Sequence, residues 1–181
     1  MAIITKTELR SQAITAGLTR DVKAAIRSGT AYQKFSAVTS VFLSHSHHDK
    51  EWVEAATVIL ENLGIKVYVD WEDEAMPSHT NLETASRIKR KIGQENDKFI
   101  FLATNTSIAS KWCNWEIGIG DVYKFDKKKI AIFPVKENDG AWAGNEYLKL
   151  YPHIGYNTIL KDFLVSYPEG GTDYLSIWLK K

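Results

Sequence analysis

The chain has 181 residues, 44% of them hydrophobic and 25% charged, with a net charge of +1. That length makes one domain, or one domain with an appendage, and the apolar fraction is enough for a proper core. Near-neutral charge removes any global electrostatic case for nucleic acid or an anionic membrane as partner. The one cysteine, Cys113, excludes an intramolecular disulfide and a cysteine-rich zinc site, and it permits a reducing cytoplasm.

Residues 1–9 start apolar but are interrupted by Thr5, Lys6 and Glu8, so they read as neither a signal peptide nor a membrane span. From residue 7 to 27 apolar positions recur at three- and four-residue steps (Leu9, Ala13, Ile14, Leu18, Val22, Ala25, Ile26), which predicts one or two amphipathic helices ending near Gly29. We read residues 1–37 as a helical N-terminal extension that packs on a main domain over 38–181, its basic side chains forming a solvated face. A partner-docking arm is the other reading of that face.

The main domain opens with a strand over 38–43. A polar turn, Ser44-His45-Ser46-His47-His48-Asp49, leads to a helix over 50–63 closed by Gly64. A second strand over 65–69 ends at Asp70, and a polar loop with Pro77 runs from Trp71 to about residue 81. A helix through Leu82, Ala85, Ile88 and Ile92 comes next, then a buried strand over 99–103. After it Ser107, Ser110, Trp112, Cys113 and Glu116 lead into another helix, and residues 130–135 make a fourth strand. Strand and helix alternate, so a central parallel sheet with helices on both faces is the economical α/β solution. The tail reads as a closing element: an aromatic-rich, irregular stretch over 147–156, an edge strand at 163–165, and a short helix from Thr172 after Gly170-Gly171.

Three polar clusters sit at strand ends. His45, His47, His48 and Asp49 approach a binuclear metallohydrolase pattern, but Lys50 stands where a further histidine is needed, so no metal is expected. The bland reading is a turn in which Ser46 and Asp49 cap the next helix. Asp70 holds the place of a phosphate-accepting aspartate, yet the acidic pair that would bind magnesium is replaced by Ser44 and His45. In the third cluster Trp112 and Glu116 are four residues apart on one helix face, setting a flat ring beside a carboxylate. Spacing alone leaves open that Trp112 and Trp115 are core aromatics and Glu116 a solvated carboxylate.

The order of these pieces carries a resemblance. Phe42-Leu43-Ser44-His45-Ser46 follows the first strand, Val69-Asp70 and a proline-bearing loop the second, and Ser-x-x-Ser-x-Trp-Cys-x-x-Glu the third. Over roughly residues 38–165 this resembles a bacterial Toll/interleukin-1 receptor (TIR) domain, which has a flavodoxin-like fold. The resemblance implies one of two functions: a non-catalytic module for TIR–TIR assembly in signalling, or an enzyme that cleaves NAD+ between nicotinamide and ribose. Trp112 and Glu116 match the enzymatic kind. On that reading Glu116 is catalytic, and Trp112, Asp70, Ser44, His45 and Trp71 bind substrate. NAD+ is then a substrate and no cofactor is implied. Where some relatives carry an arginine after the first strand, this chain has Ser46 and His47.

The resemblance further implies a cytoplasmic, standalone signal generator that gives ADP-ribose or a cyclic ADP-ribose isomer. Its nucleotide product would activate a separate effector protein, as in antiphage defence of the Thoeris type. A virulence factor acting on host TIR signalling is the alternative. Self-association is expected through the loop over 71–80, which in this family shapes the site and touches a neighbouring copy.

Overall fold

The structure, a computed structural model, describes residues 2–27, 39–72 and 81–181. The predicted 37/38 boundary and most of the 71–80 loop lie outside the described residues. Parallel strands β2 (Ser40–Ser44), β3 (Lys66–Tyr68), β4 (Lys98–Ala103) and β5 (Ile130–Lys136) form the centre in the order β3-β2-β4-β5. Helices α2 (Lys50–Asn62), α3 (Leu82–Arg90) and α5 (Lys111–Lys124) connect them.

Period-two alternation sorts the strand residues between two cores. Val41, Leu43, Ile100, Leu102, Ala131 and Phe133 pack toward α2, with Val53, Ala56 and Leu60. Phe42, Phe99, Phe101, Ala103, Ile130 and Ile132 pack toward α3 and α5, with Ile88, Ile92, Cys113 and Ile117. Both faces are therefore covered, which is why the central strands read as unbroken apolar runs.

The N-terminal segment does more than add a helix. Ile4–Thr5 (β1) pairs parallel to β5, with Ile4 opposite Val135, before helix α1 (Lys6–Arg27) lies across α2 with Leu9 fully buried. A strand of two residues leaves no period to read, so the sequence reading missed it. No helix among the described residues is long and apolar enough to cross a membrane.

Three expectations are corrected. The aromatic stretch at 147–156 is not irregular throughout: a 3-10 turn (Glu146–Leu150) precedes β6 (His153–Asn157), which joins β5 in parallel. The strand at 163–165 is not an edge. It is β7 (Asp162–Ser166), antiparallel to β6, and β8 (Thr172–Tyr174) covers its outer side. Accordingly Thr172 starts a strand instead of a helix. Gly170 and Gly171, at φ +100° and +87°, turn the chain tightly enough to fold β8 back on β7, and only Leu175–Trp178 (α6) is helical.

The motif after β4 is also split in two. Thr104 caps a short helix α4 (Asn105–Ala109) through a reciprocal hydrogen-bonded box with Ser107, and Ser110, in extended backbone, breaks it and caps α5 by accepting from Cys113 N. That break starts α5 beside the carboxyl ends of β2 and β4, and the helix then runs back along the sheet face, with Glu116 at Ser44 and Gly120 against Phe99. The chain runs from β2 outward to β3 and then returns to β4 on the other side of β2, so the strand order reverses there, at the position where open α/β sheets leave a binding crevice.

Candidate active site

Ser44 ends β2 on the face that carries Phe42, so its side chain is directed at α5. Its Oγ donates to Glu116 Oε2 at 2.6 Å, with both residues buried. Glu116 is only 2% exposed, far from the solvated helix carboxylate that spacing alone allowed. Burial pushes its pKa up to about 7, and the charge of Asp70 adds to that. The Ser44 hydroxyl, the charge of His45 and the Trp112 indole pull the other way.

His45 follows at once. Its Nδ1 lies 2.7 Å from the carbonyl of Leu43, which can only accept, so Nδ1 carries a proton. Nε2 stands 3.2 Å from Asp70 Oδ1, and His47 Nε2 is 3.4 Å from Asp70 Oδ2. The contact between His45 Nε2 and Asp70 Oδ1 is one of charge and distance: neither atom has a well-directed hydrogen bond among the described residues, although both are buried. Burial pulls the His45 pKa down, but Asp70 and the Leu43 carbonyl outweigh it and leave it raised. For Asp70 burial acts upward, and the two imidazoles outweigh it and hold the carboxyl below its ordinary value.

Trp71, in a 3-10 turn beginning at Asp70, sets its ring edge-on to His45 at 4.2 Å between centroids. Trp112, at the start of α5, lies 4.6 Å from Trp115 and is half-buried, so part of its ring remains accessible beside Glu116. All six residues singled out in the sequence therefore gather at the carboxyl ends of β2 and β3 and the first two turns of α5.

Two further residues, named in the sequence but not among the six, join this cluster. His47 is exposed yet faces Asp70, and its i, i+2 spacing from His45 at a strand end was the available signal. Cys113 donates its thiol to the carbonyl of His45 at 3.1 Å, tying α5 to the turn after β2. Burial pushes that thiol up to about 12, so it is inert as a nucleophile. The expected capping of the next helix by Ser46 and Asp49 is corrected: Ser46 caps the 3-10 turn His47–Asp49 by accepting from His48 N, whereas Asp49, at the start of α2, makes no cap bond and instead accepts from Thr104 Oγ1 at 2.5 Å, joining the turn to the end of β4. Among the described residues no three His, Cys, Asp or Glu side chains come together as ligands.

A family model of the TIR domain matches residues 41–157, from β2 through β6. The chain belongs to the TIR domain family. The matched span takes in Ser44, His45, Asp70, Trp71, Trp112 and Glu116. A curated relative, described as a probable 3′ cyclic ADP-D-ribose synthase ThsB′ of Bacillus cereus (strain MSX-D12), is 35% identical to this TIR protein over 136 residues, which cover 72% of this chain and 68% of that one.

Proposed function

We propose that this TIR protein cleaves NAD+ at the bond between nicotinamide and ribose and closes the remainder into a cyclic ADP-ribose. The product would signal to a separate effector protein in bacterial antiphage defence. The observation that carries the reading is the buried Glu116 held by Ser44 at the carboxyl end of β2, where the strand order reverses. The likeness to a probable cyclic ADP-ribose synthase supports the same chemistry and the choice of cyclisation over hydrolysis. NAD+ is the substrate here, and the reaction as proposed needs no resident cofactor.

The nicotinamide nitrogen of NAD+ is already cationic, so the bond to the ribose carbon breaks with its electron pair leaving on a neutral group. No general acid is required. What remains is to support an oxocarbenium-like transition state, and the Glu116 carboxylate does so electrostatically in a water-poor site. A hydroxyl of the second ribose then forms the new bond to the same carbon, and its proton passes to Glu116. A carboxylate with a pKa near 7 accepts that proton far more readily than an ordinary one.

The remaining residues position the reactants. Trp112 stacks on the substrate, Ser44 fixes Glu116, and the His45–Asp70 pair with Trp71 holds a ribose or phosphate oxygen at the crevice wall. Self-association through the loop over 71–80 belongs to the same proposal, as does action in the cytoplasm. Chromatography and mass spectrometry of the products from NAD+ test the cyclisation step. The expected pair is nicotinamide and a cyclic ADP-ribose isomer, and linear ADP-ribose alone would contradict it.

A further inference from the structure

A second cleft, of about 540 Å³, opens at the other end of the sheet, where β4 begins and the turn before β5 passes. Its floor holds Lys98, the first residue of β4 and only 2% exposed. In the strand register Lys98 is opposite Val41 and Phe101 opposite Ser44, so it lies three residues, about 10 Å, back along the sheet from the Ser44–Glu116 pair. The lysine stem is enclosed, and its Nζ stands 4.4 Å from the Trp178 ring centroid, at the cleft wall.

Lys98 makes no ion pair and no hydrogen bond with any described residue. Its sequence neighbour Asp97 accepts from Ser40 N at 2.8 Å and Ser40 Oγ at 3.0 Å instead. The enclosed stem brings the ammonium over the Trp178 ring and out to the cleft with no anionic partner among the described residues, an arrangement that favours an anion there. Burial and then the charge of Lys129 pull its pKa down to about 8, against a weaker opposing pull from Asp97. Beyond the Trp178 ring, nothing among the described residues meets this charge, which leaves it available to a ligand in the cleft.

The surroundings indicate which use. Lys127, Lys128 and Lys181 also line the cleft, against Asp126 and Asp173. Lys128 pairs with Glu169 at 2.9 Å and Lys181 with Asp173 at 2.7 Å, whereas Lys127 is exposed and, like Lys98, pairs with no acid among the described residues. A second hollow of about 260 Å³ adjoins and shares Asp126, Lys128 and Tyr167; its other walls include Phe125, Leu150 and Pro152, with Glu169 at its rim already paired to Lys128. Phe125 and Leu150 are exposed there.

Cationic groups in one compartment and flat apolar side chains in the next match a phosphate joined to a planar base. We propose that this double cleft binds a nucleoside phosphate, with its phosphate at Lys98 and Lys127 and its base against Phe125 and Tyr167, separately from the Glu116 site.

The test is calorimetric titration of the full chain with ADP and, separately, with inorganic pyrophosphate. ADP should bind more tightly than pyrophosphate. Lys98→Met, which keeps the stem and removes the charge, should weaken both at least about tenfold, and Phe125→Ala should weaken ADP alone. Lys127→Ala, at an exposed side chain that the fold does not need, should weaken both about fivefold and carries the test if Lys98→Met fails to fold. Undiminished binding in Lys98→Met and Lys127→Ala overturns the site, and equal affinity for ADP and pyrophosphate overturns the nucleoside assignment. None of these titrations involves NAD+ turnover, so their failure leaves the role of Glu116 standing.

Discussion

Glu116 and Ser44 make the most direct residue-scale predictions. An acid whose pKa rises from 4.5 to about 7 on folding binds its proton more tightly in the native state. Stability then falls as pH climbs from about 4.5 to about 7, and the full cost, roughly 3 kcal/mol, is felt above that. Glu116→Gln removes the cost, so the variant should match wild type at pH 4 and melt higher at pH 8. Denaturant titrations at the two pH values check this, and a variant less stable at pH 8 would mean that the carboxylate is structural. Ser44→Ala deletes the main interaction favouring the ionised form. The rising limb of kcat/KM for nicotinamide release, expected near pH 7, should move to higher pH in that variant. A uniform loss with an unmoved limb would show Ser44 acting on substrate instead.

At the scale of elements, the site depends on how α5 sits against the sheet. A Cβ on Gly120, one turn beyond Glu116, would meet the Phe99 ring at 3.0–3.2 Å. Gly120→Ala should therefore cost about 1–3 kcal/mol by overpacking, against the roughly 1 kcal/mol that alanine gains as a helix former. It should also lower NAD+ turnover by displacing Glu116, which thermal melts and activity assays would read together. Thr104→Val leaves Asp49 buried without its hydroxyl partner and should cost about 1–3 kcal/mol with little direct effect on chemistry.

What the sequence disclosed follows from these contacts. The apolar runs of β2, β4 and β5 and the stripe of α2 were legible because burial on both faces and helical period leave strong patterns. That the six candidate residues would come together was legible because each stands at a strand end or on the first turns of α5. The burial of Glu116 was not, since it depends on the break at Ser110 and on the side of β2 that Ser44 takes. The two-residue β1, and β8 following a glycine hairpin, are too short to carry a period. The link from Cys113 to the His45 carbonyl crosses 68 positions and has no local signature.

For the whole molecule, the fold keeps its two polar ends apart. Ser44 and Glu116 meet at the carboxyl ends of the strands, where the order reverses between β2 and β4, while the opposite end of β4 carries Lys98 beneath its cleft. If a neighbouring copy's loop completes the crevice, nicotinamide release per mole of protein should rise with protein concentration in a dilution series. A flat response would assign the complete site to a single chain. If Glu116 supports bond cleavage in NAD+, nicotinamide release by concentrated wild-type protein and by Glu116→Gln, measured side by side, will differ. Release by the wild type and a loss of about 10²–10³-fold in a folded variant are expected; equal release by both proteins would remove Glu116 from the chemistry.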